Sequence, residues 1–309
     1  MLNPIGKVLV ILGPTGVGKT IISLEVADKI KGEIICADSR QIYRFMDIGT
    51  DKPKPEQRKR IIHHLIDVVD PNERFTAADF AREAKKTMKD LIATGKSPIV
   101  TGGTGLYIRA LTRGFFKGPR GNLKIREKLK ELAQQKGKEF LHKKLSKVDP
   151  EAARRIHPNN LVRVIRALEV YELTGISISE LQKQGQYDKG ESDFIKIGLY
   201  LDRKKLYAKI EKRVDQMMED GLLDEVIRLK ELGYSKKLAP LKTLGYKELF
   251  SYLEGKMSLS EAVDLIKKNT RNYAKRQLTW FKKEEDITWF DVEKNSIVKS
   301  IMEKFEKNP

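Results

Sequence analysis

Eight residues near the start of the chain have the types and spacing for phosphate chemistry. Gly13-Pro14-Thr15-Gly16-Val17-Gly18-Lys19-Thr20 fits the pattern G-x-x-x-x-G-K-[ST]. The glycines let backbone amides curl around an anion, and the helix that follows presents its positive dipole end. Lys19 adds a mobile cation, and the Thr20 hydroxyl is placed to ligate Mg²⁺. The pattern implies a bound phosphate or diphosphate but does not say whose. A GTPase is excluded, because the chain has neither an Asp-x-x-Gly switch nor an Asn-Lys-x-Asp base-reading motif. An ATP-dependent small-molecule kinase stays open, with Asp67 or Asp70 after an apolar run as its metal-holding carboxylate.

Two further polar groups follow apolar runs. Asp38-Ser39-Arg40-Gln41 comes directly after Glu33 to Ala37. A carboxylate there can act as a general base or stand near a metal, and it equally suits an N-cap or Asx turn. Gly102-Gly103-Thr104-Gly105 follows Pro98 to Thr101 in the same way, as a site rim or as a tight connection needing positive φ.

These groups need elements to hold them. Lys7 to Leu12, Glu33 to Ala37 and Pro98 to Thr101 are short, β-branched-rich runs without alternation, the pattern of strands buried on both faces. His64 to Val69 reads as a fourth. Helical spacing lies between them, at Lys19 to Lys31 and Ala77 to Thr94. The alternation predicts an α/β fold, a parallel sheet core containing the P-loop, whose ligands lie beyond the carboxyl ends of the strands. Asp38 then shares a crevice with Lys19.

After about Thr112 the chain becomes highly charged and helical. Helices are expected in Asn122 to Ser146, Pro150 to Ile156 and Leu161 to Thr174, then a Gly-rich loop over Gly185 to Asp193 and a strand over Phe194 to Leu201. The reading is a catalytic core of residues 1–112 and 194–309 interrupted by a mainly helical insertion domain, residues 113–193. From Arg203 onward the pattern is again mostly helical.

The net charge of +18 fits a polyanionic partner or a lysine-rich soluble surface. A single cysteine, Cys36, excludes an internal disulfide and fits a reducing, cytoplasmic setting. No apolar run is long enough to span a bilayer. His63-His64 resembles a metal pair, but neighbours in a strand point to opposite faces, so one is expected packed and the other polar-bonded. Trp280-Phe281 is expected in the core.

The chain closely resembles the tRNA dimethylallyltransferase (tRNA isopentenyltransferase) family over nearly its whole length. The resemblance rests on the P-loop and on Asp38-Ser39-Arg40-Gln41-Ile42-Tyr43, Met46-Asp47-Ile48-Gly49-Thr50 and His63-His64-Leu65-Ile66-Asp67. It continues through Gly102 to Tyr107, Ile156 to Asn160, Arg166 to Val170, Gly245-Tyr246-Lys247-Glu248 and Thr270 to Phe281. It implies transfer of a dimethylallyl group from dimethylallyl diphosphate to N6 of the adenosine immediately 3′ of the anticodon, in tRNAs reading UNN codons.

By that resemblance the P-loop holds the diphosphate with Mg²⁺ on Thr20, Asp38 is the general base, Arg213 contacts the diphosphate and Thr104 borders the channel for the target base. It further implies tRNA contacts at Asp38, Ser39, Arg40, Gln41, Thr104, Arg126, Arg163, Arg166, Gly245, Tyr246 and Lys247. Lys267, Arg271 and Lys275 recur at i,i+4 as a second basic ridge. The absence of a Cys/His zinc finger points to the bacterial form, and a cytoplasmic monomer is expected.

Overall fold

The structure is a computed structural model that describes residues 6–114, 118–184 and 192–306. Most of the Gly-rich loop expected over 185–193 lies outside the described residues.

The chain forms two compact units, residues 1–112 with 191–309, and residues 113–190. The first runs β1 (Val8–Leu12), α1 (Lys19–Ile30), β2 (Gly32–Cys36), α2 (Pro55–Arg60), β3 (His63–His64), α3 (Ala77–Ala93), β4 (Ser97–Gly102) and α4 (Gly105–Thr112). The second contains α5 (Leu123–Lys136), α6 (Lys138–Val148), α7 (Pro150–Arg155), α8 (Leu161–Thr174) and α9 (Ile178–Lys183). The chain then returns to the first unit as β5 (Phe194–Tyr200), α10 (Arg203–Glu219), α11 (Leu222–Glu231), α12 (Tyr246–Leu253), α13 (Leu259–Phe281), β6 (Ile287–Asp291) and α14 (Ile297–Glu306).

The strands form one parallel sheet in the order β3-β2-β4-β1-β5-β6. β1 lies inside it and is buried at every residue. Its side chains alternate between two cores. Leu9 and Ile11 join α1, α10 and α14 on one face. Val8, Val10 and Leu12 join α3, α4 and Phe281 on the other. Each fully buried Val, Leu or Ile contributes roughly 1.5–3 kcal/mol, which leaves no room for a polar residue in β1. The register then fixes the site edge. Leu12 pairs with Gly102 and Cys36 with Thr101, so the turns after β1, β2 and β4 emerge side by side.

The fourth strand is shorter than the sequence suggests. β3 stops at His64, because Leu65 and Asp67 have φ of 61° and 57°, which no strand accommodates. The distortion brings Asp67 to Lys52 at 2.5 Å and to Arg58 at 2.9 Å. Val69 makes only an isolated bridge to Tyr43. Sequence reading also missed β6, whose five residues are all only half-buried.

In the second unit, Leu129, Leu141, Leu145, Val164 and Leu168 form a core of their own. Gly137, at φ 88°, divides the charged stretch into two helices.

Candidate active site

Gly16 and Gly18, at φ 80° and 101°, take left-handed backbone that a side chain would resist. Gly18 also caps α1 without a side chain, leaving the first amides of the helix open to an anion. The Lys19 amine lies across the loop, donating to Gly13 O at 3.1 Å and Pro14 O at 2.9 Å. Burial lowers its pKa to about 8; the Asp38 carboxylate opposes that shift and the Arg213 guanidinium adds to it. Lys19 therefore stands in the electrostatic reach of both residues.

Asp38 ends the turn after β2. Its Oδ1 accepts from Arg40 N at 2.8 Å, so it is an Asx turn and a cavity-facing carboxylate at once. Ser39 N donates to Thr104 Oγ1 at 3.0 Å, and Thr104 N to Ala37 O at 3.2 Å. Thr104 thus ties the β4 turn to the Asp38 turn; it is not among the residues lining the cavity. The glycines of this turn serve close approach, not positive φ. A Cβ on Gly102 would collide with the Ala37 carbonyl, one on Gly103 with the Gln277 amide, and one on Gly105 with the Trp280 indole. Tyr273, beside Thr104, has its phenol pushed up to about 12 by burial and then by the Asp38 charge.

Arg213, three turns into α10, reaches the phosphate loop. It donates to Thr15 Oγ1 at 2.7 Å and pairs with Asp51 at 2.6 Å. Sequence spacing alone makes it a solvated helix charge, but its side chain is 23% exposed.

A cavity of about 740 Å³ opens over these groups, lined by Lys19, Thr20, Asp38, Asp51 and Arg213. Arg40, Lys54, Lys242, Lys247 and Arg276 also border it, so its charge is strongly positive. Asp67 and Asp70, the carboxylates a P-loop kinase would require, do not line it and are held in ion pairs. Among the described residues no cluster of three His, Cys, Asp or Glu side chains could hold a metal. One hydroxyl and one or two carboxylates suit Mg²⁺, which keeps waters and takes phosphate oxygens; they do not suit a zinc cage.

Several expected nucleic-acid contacts sit differently. Tyr246 is fully buried and its hydroxyl donates to Glu225 Oε1 at 2.7 Å, so it is a core residue and not a surface for RNA. Gly245 and Lys247 on either side of it do border the cavity. In the second unit, Arg126 and Arg166 both grip Glu169, at 2.8 Å each, and its side chain is fully buried. Burial pushes that carboxyl up, but the two arginines outweigh it and hold it below its ordinary value. Arg163, on the same helix as Arg166, is exposed. On α13, Lys267 pairs with Asp215 and Arg271 with Glu211, which neutralises much of the expected ridge.

His63 and His64 are both polar-bonded, to Ile61 O at 2.8 Å and Glu33 Oε2 at 2.6 Å, and His63 also borders the cavity. Phe281 is in the core, whereas Trp280 is half-buried with Arg109 stacked on its ring.

Sequence reasoning gave no role to two buried residues. Gln277 accepts from Thr15 N at 2.9 Å and donates to Gly103 O at 2.8 Å, stitching two turns together. The available signal was Thr270, Tyr273 and Gln277 along one face of an otherwise apolar helix stripe. Lys52 donates to Tyr43 O and to Asp47, both at 2.6 Å, as well as to Asp67, and no local pattern marks it.

The sequence pattern of the IPP transferase family matches residues 41–284. A tRNA dimethylallyltransferase of Thermotoga maritima is 51% identical over 286 residues, 93% of this chain and 92% of the relative. One from Caldanaerobacter subterraneus is 49% identical over 290 residues, 93% and 92% of the two chains. Among solved structures, the full-length tRNA isopentenylpyrophosphate transferase of Bacillus halodurans aligns with TM-score 0.70 and 44% identity, over 96% of this chain and 93% of that one. A eukaryotic dimethylallyltransferase acting on tRNA aligns with TM-score 0.81 and 32% identity, over 93% of this chain and 74% of that one.

Proposed function

This chain belongs to the IPP transferase family, and from that premise we infer that it transfers a dimethylallyl group to an adenosine of tRNA. The donor is dimethylallyl diphosphate, and the acceptor is N6 of the adenosine immediately 3′ of the anticodon. One observation carries this reading: the phosphate loop with Lys19 and the carboxylate of Asp38 line one cavity.

The diphosphate sits on the open amides at the start of α1, with Lys19 and Arg213 against its oxygens. In that position Lys19 exchanges its two loop carbonyls for a charged acceptor. The C1–O bond of the donor breaks, the C1–N6 bond forms, and diphosphate leaves with the bonding pair. Asp38 takes the N6 proton, which helps because an exocyclic amine is a weak nucleophile. Charge building on the leaving group meets the amides, Lys19 and Arg213 already in place, which is stabilisation without reorganisation. The Thr20 hydroxyl and the diphosphate oxygens would hold Mg²⁺, which when bound neutralises part of that charge.

The target base leaves its stack to reach N6, at a cost of a few kcal/mol that an unpaired loop reduces. Arg40 lies beside it on the Asp38 turn, whereas Gln41, expected there too, is buried with its amide bonded to Thr50 O, Asp51 O and Cys36, and so holds the turn and does not read the base. Lys242, Lys247 and Arg276, exposed at the cavity border, suit the RNA backbone, as does exposed Arg163 on the insertion. No helix among the described residues is long and apolar enough to cross a membrane, and a monomer acting on tRNA in the cytoplasm fits this chemistry. Incubating the protein with Mg²⁺, labelled dimethylallyl diphosphate and an unmodified anticodon stem-loop tests the reading. Label in the RNA is expected; transfer of a γ-phosphate from ATP to a small acceptor, with unlabelled RNA, would replace it with a kinase.

A further inference from the structure

We propose that Asp51 is a positioning residue: it fixes Arg213 so that the guanidinium meets the diphosphate. The inference rests on the proposed function for the identity of that anion. Arg213 has three donor nitrogens. One faces Asp51 Oδ2 at 2.6 Å and one faces Thr15 Oγ1 at 2.7 Å. The third, Nε, is buried and has no hydrogen-bond partner among the described residues. A buried charged donor left open is costly. That Nε is enclosed and out of a ligand's reach, so it is the Nη groups, each with a second N–H beyond those given to Asp51 and Thr15, that would meet a diphosphate oxygen in the cavity Arg213 borders beside Lys19.

The pairing is built, not incidental. Asp51 has φ 56°, left-handed backbone that is uncommon outside glycine, although aspartate tolerates it better than most side chains. Three anchors fix it here. Gln41 Nε2 donates to the carbonyls of Thr50 at 3.0 Å and Asp51 at 2.8 Å. The next residue, Lys52, is buried and clamped between Asp47 and Asp67. Glu225 accepts from the amides of residues 47, 48 and 49 at 2.8, 2.7 and 3.1 Å. All three hold one short turn whose product is a carboxylate against Arg213.

A carboxylate near an anion seat also repels the anion. The Asp51 side chain is 51% exposed, so water screens that repulsion. The bond to Arg213 is local and orienting, and loss of orientation at a reacting group lowers rate steeply. Positioning therefore outweighs repulsion.

The test is Asp51→Gly, which removes the carboxylate and relieves the turn. Its melting temperature is expected close to the parent's, because relief of the turn offsets loss of an ion pair whose carboxylate is half-exposed, while kcat/KM for dimethylallyl diphosphate falls about 10-fold with KM for the stem-loop unchanged. Asp51→Asn, which keeps an acceptor oxygen and tolerates the backbone, restores part of the loss. In an Arg213→Ala background Asp51→Gly has no further effect, as expected of residues acting through one contact. Parent-level or improved kcat/KM, or losses that multiply in the double variant, would overturn the proposal. Calorimetry with inorganic diphosphate and Mg²⁺ separates it from the transfer reaction. A parent that binds diphosphate without prenylating RNA defeats the proposed function; the Asp51 contact then stands if Asp51→Gly binds several-fold more weakly and falls if it binds equally or more tightly.

Discussion

Lys19→Met should stabilise the ligand-free protein at neutral pH while abolishing its response to diphosphate. The substitution keeps the length of the side chain and deletes its charge. Burial holds the Lys19 amine near pKa 8 against an ordinary 10.5, and a difference of this size corresponds to about 3 kcal/mol at about 1.4 kcal/mol per pH unit. That cost is borne by the folded state whenever Lys19 is charged in both states, below pH 8. Between pH 8 and 10.5 the unfolded chain binds more protons at this site, so stability rises with pH and the deficit disappears. Against the gain stands the loss of donors to Gly13 O and Pro14 O, roughly 1 kcal/mol each where a cavity admits water. The balance is about 1–2 kcal/mol in favour of the variant at pH 7, a rise of about 2–6 °C in melting temperature. Melting curves of parent and variant at pH 7 and pH 10, without and with dimethylallyl diphosphate and Mg²⁺, measure it. The variant's advantage should shrink by pH 10, and only the parent should gain from the ligand. A variant less stable than the parent at pH 7, or an advantage indifferent to pH, refutes the reasoning.

Asp38→Asn retains the oxygen that accepts from Arg40 N, so the turn persists; single-turnover transfer should fall ~10²–10⁴-fold with unchanged stem-loop affinity by filter binding. Arg126→Ala and Arg163→Ala should part company. The first leaves the buried Glu169 with one arginine, costing on the order of 3 kcal/mol of stability by thermal melting. The second should leave stability alone and reduce the salt dependence of stem-loop binding by about one phosphate's worth. Tyr246→Phe deprives Glu225 of a donor, so it should cost about 1–2 kcal/mol in denaturant unfolding with no loss of stem-loop affinity.

The parts of this protein that local chemistry dictates are readable in its sequence. The phosphate loop is one, since glycine freedom, Lys19 and Thr20 are contiguous. The site edge is another, because parallel strands deliver their carboxyl ends together and Asp38 follows one of them. Elements that distant groups create are not readable. His64 to Val69 has a strand's composition, yet positive φ at Leu65 and Asp67 turns it out of the sheet, where Asp67 meets Lys52 and Arg58 from outside the segment. Gln277 and Lys52 look like surface residues until partners far along the chain enclose them. Arg126 and Arg166 have the charge of RNA-binding residues, but a buried glutamate claims them both. Tyr246, beside two cavity-bordering neighbours, faces inward because Gly49 leaves room for its ring. Arg213 shows the reverse: a helix charge whose function appears only when α10 is laid against the phosphate loop.

The most direct test is a crystal structure with Mg²⁺, an unreactive thio analogue of dimethylallyl diphosphate and an anticodon stem-loop. The diphosphate is expected on the amides at the start of α1, bonded to Lys19 and to the Arg213 guanidinium, with an extruded adenine whose N6 lies between the allylic carbon and Asp38. An adenine lodged away from Asp38, or a diphosphate seated elsewhere than the phosphate loop, would contradict it.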